Sequence, residues 1–265
     1  MPAESESGPR FVSRDSPGTV FRVGYGPDPW AWTDWSLANG GRFTGRWDSE
    51  DGSYRTLYAG DSLYGCLVEI LARFRPDPAV VAAMAAIEVS DSDDELYPTV
   101  DAGTVDASWF SNRRVGRADL AGRYCDVANS RTIAALRDSF AAMAIQEFGL
   151  SDFDSSALQN SQPRALTQRV GRFILGRDAS DGGPFDGIQF GSRHGADIVL
   201  WAIFEQADDG ITSARLDNID IDVLHLQSPD LLSVLRLHNL TIAECHHVPS
   251  DGTIVSVQGR RAARP

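Results

Sequence analysis

Apolar and polar positions first alternate regularly at Phe21 to Tyr25, which predicts a short strand that Pro27-Asp28-Pro29 breaks. Past the break lie Trp30, Trp32 and Trp35, a cluster that either walls a flat-ring pocket or, as aromatic clusters more often do, fills a core. The alternation returns from Ser53 to Ala59, with Tyr54, Thr56 and Tyr58 on one face, and predicts a second strand. A helix follows, capped by Asp61 or Ser62, because either side-chain oxygen can accept an orphan backbone N–H. Leu63, Leu67, Ile70, Leu71 and Phe74 recur at helical spacing as its buried stripe, and Pro76 and Pro78 end it. The adjacent face carries Ser62, Gly65, Cys66, Glu69 and Arg73. Gly65 and Cys66 stand one turn before Glu69, so that face is expected to be low and to leave Glu69 accessible.

Ala79 to Val89 is apolar without a clear period and is expected to be buried, whereas Asp91 to Glu95 is an acidic, solvated loop. Arg131 to Phe148 and Pro163 to Leu175 are periodic and predict helices. Phe185 to Phe190 alternates as a strand leading into Gly191-Ser192-Arg193-His194, and the continuously apolar Ile198 to Phe204 predicts a fully buried strand. Ile219 to Cys245 reads as strand–helix–strand, with Ser228-Pro229 opening the helix. These elements make a mixed α/β protein. Residues 1–18, rich in Ser, Glu, Pro and Gly, are expected to be a disordered lead-in. The main body is placed at 19–205, with 206–265 as a C-terminal extension and tail.

Composition narrows the function classes. A net charge of −13 argues against a surface that tracks nucleic-acid phosphates, although a local basic pocket remains compatible with it. Its one basic run, Arg113, Arg114, Arg117 and Arg123, reads first as a solvated loop and second as a surface for phosphate or an acidic partner. Cys66, Cys125 and Cys245 are odd in number and widely spaced, which does not suit a disulfide framework. The acidic N-terminus lacks the apolar run of a signal peptide, and no apolar run approaches the ~18 residues of a membrane span. A cytoplasmic, reducing setting is therefore the expectation.

Candidate chemistry concentrates in Gly45-Arg46-Trp47-Asp48, Tyr54-Arg55-Thr56-Leu57-Tyr58 and Glu69, joined by Ser192 far downstream. Taken singly, these residues read as a turn arginine, a packed tyrosine, a surface glutamate and a turn serine. Other groupings are weaker. Cys245-His246-His247 holds metal-ligand types, but neighbouring positions seldom converge on one ion, and no metal is expected. His194 lies two residues from Ser192 without a nucleophile-elbow pattern, so it is expected to be structural or a secondary contact. Gly182-Gly183 and Gly187 lack the strand–turn–helix setting of a dinucleotide fingerprint.

In their order and spacing, Gly45-Arg46-Trp47-Asp48, Tyr54 to Tyr58, Glu69, Asp186-Gly187-Ile188 and Ser192-Arg193 resemble the RES domain over roughly residues 20–205. That resemblance implies an ADP-ribosyltransferase-like fold and an NAD-degrading activity that breaks the nicotinamide–ribose bond, with water or phosphate as acceptor. It implies Arg46, Tyr58, Glu69 and Ser192 as the catalytic set, with Arg46, Tyr58 and Ser192 also contacting NAD. Arg42, in Gly40-Gly41-Arg42-Phe43, competes with Arg46 for the arginine role. Membership also implies the toxin of a toxin–antitoxin pair, with an Xre-type antitoxin protein as partner. The segment 206–265 has no counterpart in that resemblance and is expected to serve as a partner surface or as the interface of a homo-oligomer. Two other classes stay open: a protein ADP-ribosyltransferase, and a non-catalytic nucleotide-binding or interaction module.

Overall fold

The computed structural model describes residues 10–15, 18–87, 101–160, 162–179 and 182–243. Ten strands are present among them: β1 Ser13–Asp15, β2 Gly18–Tyr25, β3 Thr56–Gly60, β4 Thr104–Asp106, β5 Arg113–Leu120, β6 Arg123–Asp126, β7 Gly187–Gly191, β8 Val199–Phe204, β9 Leu216–Val223 and β10 Thr241–Ala243. Eight form one sheet in the order β1-β6-β7-β8-β3-β2-β5-β9, and β10 pairs with β4 in a small second sheet. In the main sheet only β6 and β7 run parallel. The helices are α1 Leu63–Leu71, α2 Pro78–Ala85, α3 Ala107–Ser111, α4 Ser130–Gln146, α5 Ser155–Gln159, α6 Arg164–Leu175 and α7 Pro229–His238. Within the described residues, no helix is long and apolar enough to cross a membrane.

Each face of the sheet is covered. On one side Leu67, Val68 and Leu71 of α1, Leu136 and Phe140 of α4, Leu166, Val170 and Ile174 of α6, and Leu231 and Val234 of α7 close over Ile188, Phe190, Leu200 and Ala202. On the other side Trp30 and Trp32 are buried with Val20, Leu57, Ala59, Ala118, Trp201 and Ile203. The core reading of the tryptophan cluster therefore holds for Trp30 and Trp32, while Trp35 is 38% exposed. As its unbroken apolar run requires, β8 is a central strand, buried on both faces between β7 and β3.

Several expectations change. The lead-in supplies edge strand β1, which pairs antiparallel with β6, and Val12 N–H donates to Thr132 Oγ1 at 3.1 Å. The segment from Ala79 is not buried: α2, begun by the Asp77 cap and Pro78, leaves Val80, Val81 and Met84 about half exposed. An all-apolar run without a polar stripe carries no signal of which face, if any, is covered. Val89, Asp91 to Glu95 and Cys245-His246-His247 lie outside the described residues. The basic run is strand rather than loop, because Arg113, Arg114 and Arg117 belong to β5, between β2 and β9. Past residue 205 the chain adds β9 to the main sheet and lays α7 against α1.

Candidate active site

Sheet register gathers the site at one end of three neighbouring strands. Gly60, the last residue of β3, lies opposite Leu200, and Gly191, the last of β7, lies opposite Val199 at the start of β8. The turn after β7 and the helix after β3 therefore leave the sheet side by side. Ser62 caps α1 by accepting from Gly65 N–H at 3.1 Å, which sets the helix direction and brings Glu69 round two turns later. Gly65 and Cys66 do not open that face. Gly65 is packed against Ile198, and the Cys66 thiol donates to Phe21 O at 3.1 Å. Their small size lets α1 lie close on the sheet, and Glu69 is half-buried as a result.

Ser192 and Glu69, distant in sequence, meet directly: the Ser192 hydroxyl donates to Glu69 Oε1. Ser192 is itself pinned, since its Oγ accepts from His194 N–H at 2.8 Å and its N–H donates to Ile198 O at 3.0 Å. It is thus both the turn cap that a lone serine after a strand suggests and a group aimed at the carboxylate. His194 reaches Ser192 through its backbone, which is no nucleophile–base pair. Its ring lies edge-on to His238 of α7, with centroids 6.3 Å apart, and His238 Nε2–H donates to Val68 O at 3.1 Å. A residue near the far end of the chain therefore braces both the helix and the turn that present Glu69 and Ser192.

Burial holds the His194 pKa below the usual 6.5, with Glu69 opposing and Arg193 reinforcing the shift. A depressed histidine pKa means that, as pH falls, the unfolded chain takes up the proton first. His194 thus adds nothing to the pH dependence above about 6.5, and it costs stability as pH drops below that value. Wild-type protein is expected to lose more melting temperature than His194→Asn between pH 7.5 and 5.5, and equal losses would refute this sign.

Of the candidate arginines, Arg46 is 8% exposed and sits with its Cζ 5.5 Å from the Phe190 ring centroid. Its Nη1 is buried and has no hydrogen-bond partner. Burial lowers its pKa, the nearby Glu69 carboxylate opposes that shift, and Arg164 and Arg193 add to it. Arg42 is exposed and donates only weakly to Glu50 O, at 3.4 Å. Arg55 pairs with Glu205 and lies over Trp32 and Trp35. Only Arg46 of these three shares its surroundings with Glu69. Arg164 and Arg193 make this a locally positive place in an acidic protein.

The loop carrying Arg46 is tightly organised. Tyr58 Oη donates to Asp48 Oδ1 at 2.9 Å and accepts from Trp47 N–H at 2.9 Å, and Asp48 also accepts from Gly45 N–H. Gln168 donates to Gly45 O at 3.0 Å, and Tyr54 donates to Trp47 O at 3.2 Å. A Cβ on Gly45 would lie 2.5 Å from Tyr58 Oη and 2.6 Å from Asp48 Oδ2, so the turn closes only around glycine. The Tyr58 hydroxyl is thus engaged by the loop that carries Arg46. Desolvation raises the Asp48 pKa, which the Tyr58 hydrogen bond counters. Tyr58→Phe removes a donor from that buried carboxylate and is expected to destabilise the fold by about 1–3 kcal/mol in urea denaturation. A cost within error of zero would contradict the role assigned to the hydroxyl.

Phe190, Gln168, Arg164, Arg193 and His238 were not singled out as site residues from the sequence. Arg193 and Asp48 lie inside the motifs quoted above, but Gln168 and His238 carry no local signal. Asp186 of the downstream motif is structural, accepting from Arg123 N–H at 2.8 Å and Arg215 Nε–H at 2.7 Å. No cluster of three or more metal-ligating side chains is found among the described residues.

A family model described as the RES domain matches residues 19–223, from the second strand of the main sheet to its last. No curated protein and no solved structure matches the chain.

Proposed function

Because this chain belongs to the RES domain family, we propose that it cleaves the bond between nicotinamide and ribose in NAD, with water or inorganic phosphate as the acceptor. The observation that carries the reading is a carboxylate pinned by a serine beside a buried arginine with a free donor. As the C1′–N bond breaks, its electron pair leaves with nicotinamide and the ribose carbon becomes oxocarbenium-like. Ser192 holds Glu69 Oε1, so the carboxylate is oriented before the charge develops, and Glu69 offsets that charge or positions the acceptor. Water or phosphate then adds to C1′, and water's surplus proton passes to solvent. Arg46 takes the diphosphate, because its planar fork matches paired phosphate oxygens, with Arg164 and Arg193 adding positive field. In this reading Tyr58 acts through the loop.

The test incubates purified protein with NAD, with and without phosphate, and follows nicotinamide, ADP-ribose and its phosphorylated form. Nicotinamide release with a free ADP-ribose product supports the proposal. ADP-ribose attached to protein would point instead to protein modification, and NAD binding without nicotinamide to a non-catalytic module. We propose further that the protein acts as a toxin, with an Xre-type antitoxin covering the site; the expected readout is a fall in cellular NAD on expression.

A further inference from the structure

A second group of guanidiniums, those of Arg113 and Arg114, lines a cavity whose lining includes neither Ser192 nor Glu69. Where α3 runs into β5, and β9 continues to Leu226, this cavity of about 270 Å³ is lined by Phe110, Ser111, Arg113, Arg114, Leu224 and Leu226. At roughly 30 Å³ per water, that space is about nine waters, just below the usual range for drug-sized ligands. The lining is apolar apart from its two arginines and one serine.

These arginines are unusual in what they lack. Arg113 is 7% exposed, and its guanidinium lies 3.6 Å from the Trp109 ring centroid and 4.5 Å from that of Tyr25. Its Nη1 donates to Trp109 O at 2.7 Å. Arg114, half-buried, donates to Ser111 O at 3.1 Å and Arg113 O at 2.9 Å. Arg73 of the turn after α1 approaches the same indole, at 5.6 Å. Among the described residues none of the three has a carboxylate within ion-pair distance. Asp222, opposite Val115 in register, faces His225 at 3.7 Å instead.

A largely buried guanidinium held by aromatic faces and a carbonyl, with no carboxylate partner among the described residues, leaves room for an anion that arrives from outside. We propose that this cavity binds a small organic monoanion, a carboxylate on an aromatic or branched apolar body. The carboxylate would lie on Arg113 and Arg114, and the body against Phe110, Leu224 and Leu226. The lining shares no residue with the set assigned to NAD, and the proposal does not depend on that assignment.

Benzoate serves as the probe and benzyl alcohol as its neutral counterpart, each titrated into the full-length protein by NMR. Saturable benzoate binding is expected, with shifts at Phe110, Leu224 and Leu226, and with benzyl alcohol at least about tenfold weaker, or ~1.4 kcal/mol. Arg114→Gln should weaken benzoate about tenfold, and Arg113→Gln should do likewise if its melting curve shows it folded. Three results would overturn the inference: no saturable benzoate binding, equal binding of the alcohol, or shifts centred on Ser192 and His194.

Discussion

Glu69→Gln is expected to lower nicotinamide release by about 10²–10³-fold while leaving the melting temperature within a few degrees of wild type. The substitution keeps the size of the side chain and an oxygen for the Ser192 hydroxyl, so the half-buried position loses charge without losing its contact. What disappears is the negative group beside the carbon that becomes positive as nicotinamide leaves. A ground-state contact would weaken substrate binding instead. The expected change is therefore in kcat, with KM altered much less. Undiminished turnover in a folded Glu69→Gln protein would remove Glu69 from the mechanism.

Arg46→Lys should weaken NAD binding about 10–100-fold, or about 1.4–2.7 kcal/mol. Lysine keeps one positive charge but has no fork with which to reach two phosphate oxygens. Arg46 also has a buried Nη1 without a partner and a guanidinium set over Phe190, a geometry that an ammonium does not fill. The titration is best made in the Glu69→Gln background, where NAD survives the measurement. Arg42→Lys in the same background is the control, and because Arg42 is exposed its effect should stay within about twofold. If Arg42→Lys weakens binding and Arg46→Lys does not, the arginine assignment moves by one motif.

Much of the architecture was legible along the chain, for reasons that differ by element. The alternation before Gly60 and the helical stripe from Leu63 mark β3 and α1, because side-chain period is a local property of backbone geometry. The Ser62 cap and Pro229 mark helix starts by the same local logic. Arg113 and its neighbours defeated that logic, since four arginines in a short span resemble a solvated loop, whereas three of them lie in β5 and Arg113 packs on the rings of Tyr25 and Trp109. The exposure of α2 was equally hidden, because what covers a helix is decided by the rest of the molecule.

The candidate site divides along the same line. The sequence by itself determined which residue types were at hand: an arginine and an aspartate in a glycine turn, a tyrosine in a strand, a glutamate on a helix and a serine after a later strand. These are read from short windows where spacing fixes secondary structure. Only the tertiary structure decided how they are placed. Strand register brought Ser192 to Glu69, burial separated Arg46 from Arg42, and the Tyr58 hydroxyl was committed to Asp48 and Trp47. His238, beyond the reach of any local pattern, was placed against Val68. Contacts between residues far apart in the chain depend on how sheet and helices close together, and local periodicity carries no record of that.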